Sequence, residues 1–272
     1  MRRVVQALER GHHPAEVMRL SEPGLEALLA TVEGVPDALV SPRSTAVTVA
    51  RVPPRLRDLL AATRAYDGAA LRTGLEMAAR RRSPLDFIEE VAVPLMRAVG
   101  RSWASGRLDV RHEHFASARM ADILHAMRRD REGQERGPRV AMALLPGDAH
   151  ELGLLMASVV FADARWRVLY LGAETPPGQI VSIARDASLE AVAIGVSSSA
   201  PAEPTLESLR SIRRDLPRAV ALLVGGAGAS GDVRGAEICR DLRALERWLT
   251  SRPQCPRVVA PPRGNRRQAS SR

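Results

Sequence analysis

Arg139-Val140-Ala141-Met142-Ala143-Leu144-Leu145-Pro146-Gly147-Asp148-Ala149-His150-Glu151-Leu152-Gly153 is the stretch whose reading decides the fold. A short apolar run (139–145) stops at Pro-Gly, crosses a polar loop and enters a helical pattern over 152–162. The same texture recurs downstream. Apolar runs rich in Val, Ile and Leu occupy 166–171, 191–196 and 219–224, separated by helical segments at 178–187 and 204–214. Continuous apolar strands alternating with helices predict a parallel sheet covered on both faces. A weak strand at 237–239 and a last helix at 242–249 complete five βα units over residues 136–251.

Upstream, residues 54–135 are helical almost throughout and predict a small four-helix bundle. Leu56, Leu59 and Leu60 make one stripe. Leu71, Leu75 and Met77-Ala78 make a second, capped by Asp67. Ser83-Pro84 opens a third helix with Phe87, Val91, Val93 and Leu95-Met96 inward, and the fourth runs over 109–129. Residues 31–53, with four prolines or glycines among small residues, read as a linker, and residues 1–30 hold two short amphipathic patterns.

Composition narrows the function. The 272 residues are 45% apolar and 26% charged, ordinary globular proportions. No apolar run approaches the roughly 20 residues of a bilayer-spanning helix, and the first residues, Met1-Arg2-Arg3-Val4-Val5-Gln6, read as the start of an amphipathic pattern rather than of a signal peptide's apolar stretch. The expectation is a soluble, cytoplasmic protein with no membrane partner. Two cysteines, Cys239 and Cys255, make neither a disulfide framework nor a zinc cluster. All 40 basic residues are arginine, so Schiff-base lysines and the P-loop lysine are absent. That excludes pyridoxal-phosphate enzymes and ordinary Walker-type NTPases. Of the net charge of +9, six arginines with no acid lie in 252–272, a basic tail expected to be disordered. Such a tail either touches nucleic acid non-specifically or is merely solvated.

Ligands of open α/β sheets bind beyond the carboxyl ends of the strands, so the loops there are the place to search. After strand one, Asp148-Ala149-His150 pairs a histidine with a carboxylate two residues earlier. A carboxylate taking the Nδ1 proton would fix the tautomer and make the other nitrogen a better metal ligand. Gly153 would leave room for something bulky at the start of the helix. Read locally, Asp148 as a helix N-cap beside an incidental histidine is the commoner arrangement. Ser197-Ser198-Ser199 after strand three and Gly225-Gly226 after strand four are either plain turn formers or the walls of a slot for a flat ligand. Gly226-Ala227-Gly228-Ala229-Ser230-Gly231 fits a dinucleotide fingerprint, but it follows the fourth strand and not the first, which rejects NAD or FAD.

Asp148-x-His150-x-x-Gly153, then the serines at Ser197, then Gly225-Gly226, resembles the B12-binding domain of methionine synthase and related corrinoid proteins. The resemblance covers about residues 54–250 and implies a flavodoxin-like, doubly wound fold preceded by a helical cap. It implies a base-off, His-on cobalamin with His150 as lower axial cobalt ligand and Asp148 as its orienter. Gly153, Ser197, Ser199, Gly225 and Gly226 would then surround the displaced dimethylbenzimidazole tail. The chain departs from the family at Ser197-Ser198-Ser199, where Ser-x-Leu is frequent.

In the cap, Trp103 is followed ten residues later by Glu113-His114. A tryptophan offers a flat face, a glutamate accepts hydrogen bonds from ribose hydroxyls, and a histidine ligates metal. Alternatively, Trp103 is core and the other two lie on a solvated helix face. The pattern resembles the light-responsive, adenosylcobalamin-dependent repressors of the CarH and LitR type. That resemblance implies Trp103 and Glu113 around the upper face of adenosylcobalamin (methylcobalamin being the other form), His114 as the upper cobalt ligand after illumination, and a homo-oligomer. Residues 4–29 resemble the last helices of a MerR-type domain without its helix-turn-helix, so DNA would be a partner only with that unit restored. The expectation is a corrinoid-binding regulator and not an enzyme; the alternative is a methyl-carrier protein, which would leave its upper face open.

Overall fold

The computed structural model describes Gly24 and residues 54–135, 137–229 and 233–252. The readings of residues 1–53, Gly24 apart, and of the tail beyond Arg252 fall outside them. Helices α1 (Pro54–Arg64), α2 (Gly68–Ala79), α3 (Pro84–Phe87), α4 (Val93–Ala104) and α5 (Val110–Arg129) form the cap. The sheet domain follows as β1 (Arg139–Leu144), α6 (Glu151–Asp163), β2 (Arg167–Gly172), α7 (Pro177–Asp186), β3 (Ala191–Gly195), α8 (Ala202–Asp215), β4 (Ala221–Gly225), β5 (Glu237–Cys239) and α9 (Leu242–Thr250). Among the described residues, no helix is long and apolar enough to cross a membrane.

Local chemistry explains the cap. Asp67 accepts from the Ala70 N–H at 2.9 Å to start α2, and Ser83 caps α3 with Pro84 at its first position. A π-helical turn, Ile88–Ala92, joins α3 to α4, so the expected third helix is one continuous rod with a widened waist. The Val93 N–H bonds back to the Ile88 carbonyl. The next residue, Pro94, has no N–H, and its ring would crowd the carbonyl four residues earlier, which the wider turn relieves. The inward stripes hold, with Leu71, Leu75, Phe87 and Leu95 fully buried. Met77 is the exception: at 52% exposure it faces solvent, because its neighbour Ala78 takes the inner position.

The sheet is all-parallel in the order β2-β1-β3-β4-β5, the flavodoxin-like winding. Alternation along each strand splits the core into two layers. Val140, Met142 and Leu144 face α6 and the cap, while Ala141, Ala143 and Leu145 face α7 and α8. The first layer is continuous with the cap interior through Met120, Leu124 and Met127 of α5. Cap and sheet therefore share one core. Polar ties reinforce the joint: Arg243 of α9 reaches Asp86 and Glu89, both at 2.8 Å, and Arg131 reaches Asp163 at 2.9 Å. The winding reverses between β1 and β3, which opens a crevice between the loops that follow them.

Candidate cofactor site

Both loops of that crevice carry the residues singled out in the sequence. The loop after β1 turns at Gly147, where φ is +89° and the N–H is held by the Glu174 carboxylate at 3.1 Å. The turn carries Asp148 inward, to 2% exposure. There the carboxylate accepts from the Ser197 N–H at 2.7 Å, the Ser197 hydroxyl at 2.8 Å and the His150 N–H at 3.1 Å. Burial pushes the Asp148 carboxyl upward, but the hydrogen bonds from Ser197 and His150 outweigh it and hold the group below the usual carboxylate range. Asp148 thus binds the β1 loop to the β3 loop. It is not the helix cap: His150 occupies that position in α6, with no side-chain capping bond.

His150 is half-exposed at the mouth of the crevice, with 48% of its side chain accessible. Its Nδ1 lies 3.0 Å from Ser199 Oγ and 3.4 Å from Asp148 Oδ1. The direct carboxylate–imidazole bond expected from the sequence is therefore replaced by a shorter contact to a serine. Ser197 and Ser199 are themselves joined, oxygen to oxygen, at 3.0 Å. Three residues on, in the first turn of α6, a side chain at Gly153 would meet nothing within 4 Å.

The glycines after β4 are explained by close packing of loop on loop. Gly226 has φ +110°, and a Cβ there would stand 2.3 Å from the Val196 carbonyl oxygen. Gly228, noticed in the sequence only as part of a rejected fingerprint, would bring a Cβ within 2.2 Å of the Ser197 carbonyl. A Cβ at Gly225 would approach the Cys239 carbonyl to 3.1 Å. Gly226 and Gly228 let the β4 loop press on the β3 loop and hold Ser197 where Asp148 can reach it, while Gly225 lets β4 lie close to β5.

A second group lies on the cap. Trp103, near the end of α4, is half-buried against the shared core. Glu113, in the first turn of α5, accepts from Ser117 Oγ at 2.5 Å and pairs with His114 Nδ1 at 2.9 Å. The His114 side chain is 74% exposed. His112, given no role by the sequence, is structural: its Nδ1 accepts the Asp109 N–H at 3.1 Å, and its ring stacks on Tyr66 at 4.3 Å between centroids. The Asp-x-x-His spacing of a capping box was the signal for it.

A third group was not legible at all. The Tyr170 hydroxyl is buried with no hydrogen-bond partner among the described residues, and burial pushes its pKa up. Arg128 stands over its ring at 5.3 Å and His125 meets it edge-on. Tyr170 flanks Gly172 with the Glu151 carboxylate, directly after His150. The polar atoms gathered here come from β2, the cap helix α5 and the first residue of α6, which no local pattern relates.

These residues fit a metal that arrives with most of its own ligands. Among the described residues no group of three or more His, Cys, Asp or Glu side chains could hold a bare ion. One oriented imidazole beside an open glycine suits a single axial bond to a macrocyclic cobalt.

Comparison with known proteins agrees with that chemistry. Residues 55–127 and 138–242 each match a B12 binding domain family model. The HTH-type transcriptional repressor CarH of Myxococcus xanthus is 33% identical over 178 residues, 63% of this chain and 57% of that protein. The repressor CarA of the same organism is 35% identical over 147 residues, 53% of this chain and 48% of that protein. The chain thus spans about half the length of these relatives. The Methanosarcina barkeri monomethylamine corrinoid protein shares the fold, with TM-score 0.57 and 18% identity over 71% of this chain and 96% of its own. The two family matches, covering the cap helices and the sheet in turn, make this chain a B12-binding-domain protein related to the CarH and CarA repressors.

Proposed function

We propose that this protein is a cobalamin-dependent regulator that binds its cofactor base-off through His150, in the crevice between cap and sheet. The observation that carries the reading is the imidazole at the switch point of the sheet, tied through Nδ1 to Ser199 and backed by the buried Asp148. When bound, the cobalamin supplies a cobalt centre whose upper ligand can be exchanged. The chain's own residues do the rest. His150 presents Nε2 to the lower face, and the open position at Gly153 admits the nucleotide tail. The loops at Ser197 and Gly225-Gly226 close the slot behind it. Trp103 and Glu113 would cover the upper face, and His114 is the side chain offered to cobalt once that face opens. The relationship to named transcriptional repressors supports a regulatory over an enzymatic role.

Regulation then follows from shared packing. Cap and sheet have one continuous core, so a change of ligand under the cap would bias cap position, and a few kcal/mol suffices to shift a two-state population. Adenosylcobalamin and light are the form and signal we propose, with a homo-oligomer as the responding assembly.

The test is the absorption spectrum of the purified protein loaded with adenosylcobalamin, in the dark and after green illumination, beside His150→Ala and His114→Ala. The expected result is a retained base-off corrinoid, retention weakened in His150→Ala by more than the loss of any residue that merely orients the imidazole, and a light-induced form lost in His114→Ala. A protein that retains no corrinoid overturns the proposal. Retention with a light-insensitive spectrum removes the photosensor and favours a methyl carrier or a sensor of corrinoid itself.

A further inference from the structure

We propose that Ser199 is the positioning residue of the cobalt-facing histidine, accepting a hydrogen bond from the His150 Nδ1–H and linking it through Ser197 to Asp148. The inference rests on the reading of His150 as a cobalamin ligand. It differs from the expected arrangement, in which the carboxylate meets the imidazole directly.

Counting hydrogens gives the chain of contacts a direction. A serine hydroxyl holds one hydrogen and an ionised carboxylate none. Ser197 Oγ lies 2.8 Å from Asp148 Oδ1, so its only hydrogen is committed there. The 3.0 Å contact between Ser197 Oγ and Ser199 Oγ must then take its hydrogen from Ser199. The Ser199 N–H reaches the same Ser197 oxygen at 3.2 Å, which holds Ser199 in place. With its hydrogen turned toward Ser197, Ser199 Oγ faces His150 Nδ1 at 3.0 Å as an acceptor. Nδ1 therefore carries the imidazole hydrogen, and Nε2 carries the lone pair that a metal needs. The opposite polarity would leave two hydroxyl oxygens 3.0 Å apart with no hydrogen between them. Asp148, at 3.4 Å from Nδ1, stands outside the usual N–H···O range of about 2.7–3.2 Å.

The arrangement depends on a residue where this chain departs from the corrinoid pattern. A leucine at 199 would offer no acceptor, and the carboxylate would have to approach the ring itself. Here Asp148 is held back by three hydrogen bonds from Ser197 and the His150 backbone, and the second hydroxyl spans the gap.

The first experiment uses the full chain without cofactor, uniformly labelled with nitrogen-15. Long-range proton–nitrogen correlation spectra distinguish the two imidazole tautomers, and loss of one signal set in His150→Gln assigns the residue. The expected result is an Nδ1–H tautomer in the wild type, a shift toward Nε2–H or a mixture in Ser199→Ala, and recovery in Ser199→Thr, which restores the hydroxyl. An Nε2–H wild type, or a Ser199→Ala spectrum identical to wild type, overturns the proposal. Because the wild-type tautomer is itself decisive, a variant that folds poorly does not rescue the idea.

The second readout uses hydroxocobalamin reduced to cobalt(II), whose electron paramagnetic resonance shows splitting from an axial nitrogen. Ser199→Ala should lower the His-on affinity about 10–100-fold, with Ser199→Thr close to wild type. If the wild type takes up no corrinoid, the proposed function fails while the tautomer result still judges Ser199. If corrinoid binds His-on equally in wild type and Ser199→Ala, Ser199 is not the positioning group and the proposed function survives.

Discussion

Two glycines within the same motif set should respond oppositely to alanine. At Gly226 the backbone has φ +110° and a new Cβ would lie 2.3 Å from the Val196 carbonyl oxygen. A left-handed conformation costs an L-residue about 1–2 kcal/mol, and the overlap with backbone adds about 1–3 kcal/mol as the β3 and β4 loops separate. The sum is about 2–5 kcal/mol. At about 2–4 °C per kcal/mol for a protein of this size, the melting midpoint should fall by about 4–20 °C. Separation also carries Val196 and Ser197 away from Asp148, so corrinoid affinity should fall with stability. At Gly153 a Cβ meets nothing within 4 Å, and the residue lies in the first turn of α6. Relief of glycine's backbone entropy should make Gly153→Ala neutral or more stable by up to about 1 kcal/mol. Corrinoid affinity should nonetheless drop, because the added methyl would enter the space proposed for the nucleotide tail. The assay is thermal unfolding by circular dichroism without cofactor, paired with spectrophotometric titration of cobalamin. Unchanged cobalamin affinity in a well-folded Gly153→Ala would refute the placement of the ligand at that helix start. A stable Gly226→Ala would refute the loop-packing account.

Three further outcomes follow from the joint between cap and sheet. Leu124 is fully buried in the core common to α5 and α6, so Leu124→Ala should cost about 2–5 kcal/mol. Its far-UV and tryptophan-fluorescence transitions should shift together in urea; two separate transitions would contradict a shared core. The Ser83 hydroxyl, then Arg243, holds the Asp86 carboxyl below its ordinary value. A carboxyl depressed in the folded state stabilises above its unfolded pKa, about 3.9, and the contribution is lost as pH falls through the lower folded value. Urea midpoints should therefore decline below about pH 4, and Asp86→Asn should flatten that decline; an unchanged acid limb would remove Asp86 from the account. Arg243→Ala should leave the fold intact but loosen the cap, seen as faster amide exchange in α3 and the π turn; unaltered exchange would show that the apolar core alone fixes the cap.

Much of the architecture was legible because it is written in short-range patterns. The apolar runs 139–145 and 191–196 became β1 and β3 within a residue at each end, since strands buried on both faces leave no other composition at those positions. Asp67 and Ser83 started helices because their side chains bond a backbone N–H three residues on, a strictly local act. Pro94 was visible too, but its consequence, a π turn in the preceding residues, depends on how the freed carbonyls find donors.

What the sequence determined by itself was the alternation of strands and helices, the helical cap and the placing of Asp148, His150, Ser197 and Gly226 at strand ends. What only the tertiary structure decided was who touches whom across the switch point. Ser199 and His150 lie 49 residues apart, and whether serine or aspartate meets the imidazole turns on a few tenths of an ångström set by loop packing. The same holds for Arg243, which finds Asp86 157 residues away, and for Tyr170 beneath α5. Periodicity records which face of an element is buried. It carries no record of which distant element covers that face, because that choice is made by the packing of the whole chain.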